Sequence, residues 1–546
     1  MTALRFDPDE IARATGHSEE IPPVLAPARY PLVTVADPDD PPIPDEPIAG
    51  TRPPDPGANG NSPHAAPARR VRRAQTSERT PLTDLSNAQR FVDRHGADLR
   101  YCGAWDAWLV YDGRRFRRDD SQEVLRRARD TVRAMYLEAL DEKDGDRRHR
   151  RILHAIRSES AGRIEAMIRL ARGDARVGVR PEQLDVDPYL LNVNNGTLDL
   201  RTAEIRPHRH EDLITKLAPV DWDPAARAEL WDEFLRQAFG GDDELLAFVA
   251  RAFGYALTGD TREECLFELI GPAASGKTTI LETAKRTWGD YGSTTDFGTF
   301  LVRREDGPRA DVARLVGKRM VAAAEVEKNK HLDEGLLKSI TGGDTIAARE
   351  LYQSAFEFRF TAKIFLAAND RPRVRDDDDA IWRRIIPIPF DHPVPAEKRD
   401  PRIKITLTDV ALSGAAVLAW AVRGCMAWQR EGLRVPAAVR HATDVYRHEM
   451  DPIGAFLDES CSMEESAYVA FDDLFRAYQI WAKATGERWT IGARDFGNRL
   501  TRHGFASDKA AKGVRVRRGL RLSEQGTLEL ADPETAKGEQ NEEVPF

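Results

Sequence analysis

The stretch LFELIGPAASGKTTI, residues 266–280, constrains the fold of this chain more than any other. An apolar run, a glycine-bearing loop and the start of a helix follow one another, which demands a strand–loop–helix unit. Gly271 to Thr278 fits G-x-x-x-x-G-K-[ST]. In such a loop Gly271 and Gly276 let backbone N–H groups turn inward around phosphates. Lys277 reaches the β- and γ-phosphates, and the Thr278 hydroxyl is suited to Mg²⁺. The loop Gly271, Pro272, Ala273, Ala274, Ser275, Gly276, Lys277, Thr278 and Thr279 is therefore expected to hold ATP with Mg²⁺.

Hydrolysis needs a carboxylate at the end of a neighbouring strand, to hold the metal and polarise water. KRMVAAAEVEKNK supplies a buried strand over 320–324, with Glu325 and Glu327 leaving its end. Residues two apart on a strand point the same way, so both suit the metal. The alternative is one functional glutamate and one on the surface. Downstream, HLDEGLLKSITGGD predicts a short amphipathic helix on Leu332, Leu336 and Ile340, ended by Gly342-Gly343. TIAARELYQSAFEFRF alternates like a hairpin, and AKIFLAAND is a second buried strand with Asn369 at its tip. There a polar side chain can orient the attacking water. Arg383 and Arg384, flanked by apolar residues, suit a finger reaching a neighbour's phosphate; the alternative is a solvated pair balancing Asp376–Asp379.

Charge is unevenly spread behind a formal net charge of −9. Residues 1–60 hold 4 basic and 11 acidic side chains, and 21–60 include 12 prolines, so 1–84 is expected to be a disordered tail. Its Arg69, Arg70, Arg72 and Arg73 are read as solvated linker charge. Residues 491–522 carry 9 Lys/Arg against 2 Asp, which suits a polyanion. The four cysteines form no C-x-x-C pair, fitting a reducing compartment and arguing against structural zinc. The start lacks the plan of a signal peptide. The apolar run ALSGAAVLAWAV (411–422) is too short for a bilayer and reads as a buried helix. A cytoplasmic protein without membrane partners is expected.

The expected fold class is α/β. An α+β N-terminal domain over 85–225 starts with a helix capped by Thr83 or Ser86, followed by a hairpin around Asp112-Gly113 and a helical stretch with Leu125, Ala128, Val132 and Met135 on one face. A further tight turn is expected at Asn195-Gly196. A helical collar (226–262), the nucleotide core (263–395) and a helical segment packing on it (396–450) come next. Residues 451–525 suit a winged helix, with Leu474, Tyr478 and Trp481 inward and Arg494, Arg499 and Arg502 outward. Its wing holds Lys509, Lys512, Arg515 and Arg517, and phosphate contact there would give salt-dependent affinity. Residues 526–546 form an acidic tail.

The series GPAASGKTT, MVAAAEVE, TGGDTIAARELY, IFLAAND and IWRRIIPIPF resembles the superfamily 3 helicases. Within them the chain is most similar to the phage and plasmid replicative helicases called phage/plasmid primases, related to the poxvirus NTPase-primase. The resemblance covers about 85–522. It implies an AAA+-type core assembled as a ring, usually a hexamer, unwinding duplex while translocating on single-stranded or forked DNA. It makes Glu325 the metal-associated carboxylate, Asn369 the sensor and Arg383 or Arg384 the finger acting in trans. It also places Arg349, Tyr352 and Gln353 on or near a pore hairpin that grips DNA. Glu-Val-Glu stands where many members have adjacent acids, which leaves the roles of Glu325 and Glu327 open.

Primer synthesis needs a carboxylate cluster for two metals. The D-x-D at Asp185-Val186-Asp187 precedes Pro188 without zinc-binding cysteines, so unwinding without priming is expected, with any primase a separate replisome protein. The competing function is a DNA-bound ATPase switch or assembly factor that never translocates.

Overall fold

The computed structural model describes residues 81–303, 309–324, 330–349, 356–374, 379–485, 491–510, 513–524 and 527. Glu325, Glu327, Tyr352, Gln353 and Lys512 lie outside them, as do both expected tails apart from residues 81–84 and 527.

Helix α1 (Asp84–His95) is capped by Thr83, whose hydroxyl accepts from the Ser86 amide. Strands β1 (Leu99–Cys102), β2 (Ala107–Tyr111), β3 (Phe116–Arg118) and β4 (Gly178–Val179) form a sheet in the order β3-β2-β1-β4. The β2–β3 loop contains Asp112-Gly113, with Gly113 at φ +93°. Helices α2 (Glu123–Leu140), α3 (Gly145–Ser158) and α4 (Ala161–Ala171) pack with α1 over Phe91, Val132 and Met167. A second sheet joins β5 (Leu190–Val193), β6 (Gly196–Asp199) and β7 (Glu204–Arg206). Its first turn is Asn194-Asn195, one residue earlier than the sequence suggested, because Val193 pairs with Gly196. Gly196 is in the strand for room: a Cβ there would lie 2.5 Å from the Arg206 carbonyl oxygen.

The centre of the molecule is a five-stranded parallel sheet. In chain order its strands are β8 (Leu266–Ile270), β9 (Gly292–Asp296), β10 (Met320–Ala324), β13 (Lys363–Ala368) and β14 (Ile385–Pro389). They lie side by side as β14-β8-β13-β10-β9. The intervening β11 (Thr345–Ala348) and β12 (Phe356–Arg359) pair antiparallel as the expected hairpin.

Alternate side chains along these strands point to opposite faces. Phe267, Leu269, Ala322, Phe365 and Ile388 pack on α5 (Glu229–Ala238), α6 (Asp243–Tyr255), α7 (Lys277–Trp288) and α12 (Ala415–Glu431). Leu266, Val321, Leu366 and Ile385 face the other way, onto α9 (Glu334–Gly342), α10 (Asp379–Trp382) and α13 (Ala437–Glu449); α8 (Ala310–Ala313) and α11 (Pro401–Thr408) are short additions. Leu332 precedes α9 and bridges to Leu301 instead of joining the helix face.

The apolar run at 411–422 belongs to a longer helical stretch, Val410–Glu431, which is long and apolar enough to cross a membrane by length and composition. Here it is a core helix, with 56% of its most apolar window buried. Gly424 brings it against α6, since a Cβ there would lie 1.8 Å from the Ala250 carbonyl oxygen.

Two buried cations stand at the edge where the central strands begin, Arg319 tying it to β5 and Lys363 to the loop after α6. Arg319 Nη1 donates to Leu257 O at 2.8 Å and Nη2 to Leu190 O at 2.8 Å. Lys363 Nζ donates to Asp260 O at 3.0 Å and to Thr258 O, and burial holds its pKa well below the ordinary value.

The C-terminal part has helices α14 (Pro452–Ser460), α15 (Phe471–Ala484) and α16 (Ala493–Arg502). Its antiparallel sheet is ordered β15 (Cys461–Ala470), β17 (Arg515–Leu522) and β16 (Ser507–Lys509). Leu474, Tyr478 and Trp481 are buried there as expected.

Candidate functional site

Strand β8 is buried along its whole length and delivers the chain to Gly271 at the sheet's carboxyl edge. Gly271 has φ +149°, and a Cβ would lie 2.4 Å from the Phe390 carbonyl oxygen, so only glycine passes between β8 and the end of β14. Pro272, Ala273 and Ala274 are exposed at the crest. Ala274 is left-handed at φ +61°, and its carbonyl accepts from the Val394 amide at 3.0 Å. Buried Ser275 donates from Oγ to Pro272 O at 2.9 Å. Gly276, at φ +101°, caps α7, whose first residue is Lys277.

The Lys277 ammonium is turned into this loop. Nζ donates to Gly271 O at 2.6 Å and Pro272 O at 2.8 Å, with Ser275 Oγ at 3.3 Å. Burial lowers its pKa. Thr278 is exposed in the first turn and Thr279 is half-buried. A buried cation, a loop with positive φ at Gly271, Ala274 and Gly276, and the N-terminus of a twelve-residue helix converge on one spot. Such a spot attracts a polyphosphate.

The parallel register sets the other candidates around it. Ala368 is level with Ile270, so Asn369 leaves β13 beside the point where Gly271 leaves β8, and it is exposed. Ala324 is level with Ala367, and Glu325 follows it in the chain. Arg383 and Arg384 lie at the opposite edge. Ile385 pairs with Leu266 and Pro389 with Ile270, so both arginines sit where the strands begin. A five-residue strand, about 16 Å long, separates them from their own chain's loop.

The two arginines differ in surroundings. The Arg383 side chain is 66% exposed, with Nη2 3.8 Å from Glu264. Arg384 is 10% exposed and donates to Thr341 Oγ1 at 3.2 Å, Ala380 O at 2.7 Å and Glu264 at 2.9 Å. It is a strut for the turn into β14, which removes it as a candidate finger.

On the C-terminal surface Arg494, Lys509 and Arg515 are exposed, and Arg515 also stacks on the Phe471 ring at 5.1 Å. Arg517 is a correction: it is buried. It donates to Thr501 Oγ1 and Phe505 O at 2.8 Å and to Gly497 O at 2.7 Å. Its strand is central in the sheet and α16 covers it, so its charge is spent on carbonyl groups. Arg502 is exposed and Arg499 half-buried, and both line a cavity against α13. Arg349 is exposed where the hairpin leaves β11. Asp185 accepts from the Thr215 amide at 2.8 Å and Asp187 from Arg201 at 2.8 Å, so different partners engage the two carboxylates.

Sequence reasoning missed Arg319, Lys363 and Glu268. The signal is a charge at or inside an apolar strand. Glu268 interrupts LFELI and is 1% exposed, and among the described residues neither of its oxygens has a hydrogen-bond partner.

A mixed α/β protein, with a parallel sheet whose strand ends gather the motif residues, is the class this architecture defines. Three family models match: D5 N terminal like over 88–240, a family of unknown function (DUF5906) over 269–384, and Poxvirus D5 protein-like over 448–521. Over 88–240 and 448–521 the chain is thus similar to the helicase- and primase-related proteins of the poxvirus D5 type.

Among viral relatives, candidate helicase L207/L206 of Acanthamoeba polyphaga mimivirus is 31% identical over 215 residues, 38% of this chain and 22% of its own. Candidate helicase 022R of Frog virus 3 is 24% identical over 391 residues, 56% of this chain and 40% of its own. Candidate primase C962R of African swine fever virus (isolate Tick/Malawi/Lil 20-1/1983) is 27% identical over 214 residues, 37% and 22%. The chain thus spans well under half the length of these relatives. The C-terminal region of NrS-1 superposes with a TM-score of 0.45 at 12% identity, covering 82% of this chain and all of that one.

Proposed function

We propose that this chain is an ATP-dependent DNA helicase of phage or plasmid type, working as a ring, usually a hexamer, in the host cytoplasm. The observation that carries the reading is the split between the sheet's two edges. Lys277 and Asn369 stand at the carboxyl edge and exposed Arg383 at the other, so one chain supplies two halves of different sites. An AAA+-type core stacked around a ring brings one chain's loop to the next chain's arginine.

In this account the loop amides and Lys277 hold the β- and γ-phosphates of ATP. The loop geometry and buried lysine fit that substrate. Thr278 and Glu325 would hold Mg²⁺, which draws charge from the transferring phosphate. Glu325 or Glu327 takes the proton of the attacking water, and Asn369 orients that water. Arg383 of the neighbouring subunit meets the charge that develops on the phosphate. Arg349, Tyr352 and Gln353 line the pore and grip one strand. The C-terminal winged helix holds DNA through Arg494, Lys509, Lys512 and Arg515. The partnering of Asp185 and Asp187 supports a chain that unwinds without priming, beside a separate primase.

Strand displacement tests this reading against a DNA-bound switch. A forked duplex with ATP should be opened by the full chain at a rate that follows ATP turnover. DNA-stimulated hydrolysis with no displaced strand would favour the switch.

A further inference from the structure

Strand β8 carries a carboxyl where an apolar side chain would pack. Alternation puts Glu268 on the same face of the sheet as Leu266, the face that α13 covers, level with Leu366 of β13 and Pro387 of β14. It has lost its hydration and gained no hydrogen bond among the described residues. Of the charged groups around it Arg371 acts most strongly, then Glu449.

Arg371 is engaged elsewhere. Its Nη1 donates at 2.6 Å to Glu449, the last residue of α13, and its guanidinium lies 5.3 Å from the centre of the Tyr446 ring. The Glu449 side chain is 49% exposed. Arg371 Nε is buried and has no hydrogen-bond partner among the described residues. One guanidinium thus stands between a solvated carboxylate that holds it and a buried carboxyl that lacks a partner. The surface pair is worth little, because water serves Glu449 almost as well. Closing the inner pair satisfies two groups that water does not reach, against the cost of burying both charges. A ligand can therefore tip the balance.

The segment that carries Arg371 joins two functional parts. It begins at Asn369, two residues earlier, and Tyr446 Oη of α13 donates to Pro372 O at 2.5 Å. Beyond Glu449, Asp451 caps α14, the first helix of the C-terminal part.

We propose that Arg371 is a positioning residue with two settings, on Glu449 or on Glu268, and that the second seats Asn369 for turnover. On Glu449 the arginine ties the Asn369 segment to α13 and the C-terminal part. On Glu268 it ties that segment to the strand that delivers the phosphate loop. Burial keeps Glu268 protonated at neutral pH, so its proton leaves to solvent as Arg371 arrives, while Glu449 is left hydrated. The inference rests on the nucleotide-site reading and adds to it a control exerted from α13.

Two readouts on the full chain test it. Infrared difference spectra at neutral pH should show the carbonyl band of a protonated carboxyl, which weakens when a non-hydrolysable ATP analogue binds with Mg²⁺. Glu268→Gln should remove both the band and its change. In steady-state hydrolysis without DNA, Glu268→Gln should lower kcat by about tenfold or more with KM within about twofold. Glu449→Gln, which frees Arg371, should instead raise kcat by about twofold or more, and the double variant should match Glu268→Gln alone. A purely structural pair gives no gain in Glu449→Gln. A band indifferent to the bound analogue, or a Glu449→Gln turnover no higher than wild type, overturns the proposal. Glu449 lies at the surface, so its variant decides alone should Glu268→Gln fail to fold. An active wild type with those results overturns this inference only; a wild type that neither binds the analogue nor turns over ATP overturns the nucleotide-site reading and this inference with it.

Discussion

Arg384 donates from Nη2 to Glu264 at 2.9 Å, at the edge of the sheet where β8 and β14 begin. Its neighbour Arg383 lies 3.8 Å from the same carboxylate with its side chain turned to solvent. Arg384→Ala should lower stability by about 1–3 kcal/mol, because Thr341 and Ala380 lose a buried donor. Arg383→Ala should keep the melting temperature and ATP binding while stopping turnover. Rings mixed from Lys277→Ala and Arg383→Ala subunits, each inactive alone, should regain some ATPase. No recovery in verified mixed rings would mean that Arg383 does not act in trans.

Burial pushes Glu268 up to about 8, against the opposing charge of Arg371. A carboxyl raised in the fold gives stability that is fully present below its ordinary value of 4.5 and lost as pH rises through about 8. Glu268→Gln removes that loss. Urea midpoints should be similar at pH 5 and favour the variant at pH 8.5; an equal difference at both would contradict the assignment.

His503 is held above its ordinary 6.5 by the hydrogen bond to Asp451, with Asp458 adding to this and burial and Arg499 opposing it. Its contribution is present below 6.5 and lost as pH rises through the elevated value. His503→Gln should therefore destabilise the chain more at pH 6 than at pH 9. A penalty independent of pH would mean that the ion pair carries no charge.

Exposed Lys509 and Arg515 should contribute to DNA affinity, whereas Arg517 holds the fold. Lys509→Gln/Arg515→Gln should weaken single-stranded DNA binding and flatten its salt dependence by about 0.7 for each phosphate no longer neutralised. Arg517→Gln should instead lower the unfolding temperature. The opposite pattern would reverse these roles.

The fold's central features were legible because they follow local rules. LFELI, MVAAA and KIFLAA are apolar runs bounded by turn residues, and each became a parallel strand. The arginines were harder, because the sequence shows charge without neighbours. Arg383 and Arg384 looked alike until Glu264, 119 and 120 positions earlier in the chain, and Thr341 were brought to one of them. Arg517 likewise read as a wing residue, since nothing local reveals that α16 covers it. Strand β15 was missed because SMEES interrupts any apolar alternation; its pairing with β17 supplies what its side chains do not.

The most direct test is steady-state ATP hydrolysis by the full chain and its Lys277→Ala variant, with single-stranded DNA, alongside their thermal melting curves. The account predicts a Mg²⁺-dependent activity that falls by more than about a hundredfold in the variant, since the cation facing the phosphates is gone. The melting curve should stay near wild type. Turnover within tenfold of wild type in a folded variant would contradict the nucleotide site, and with it the motor built on it.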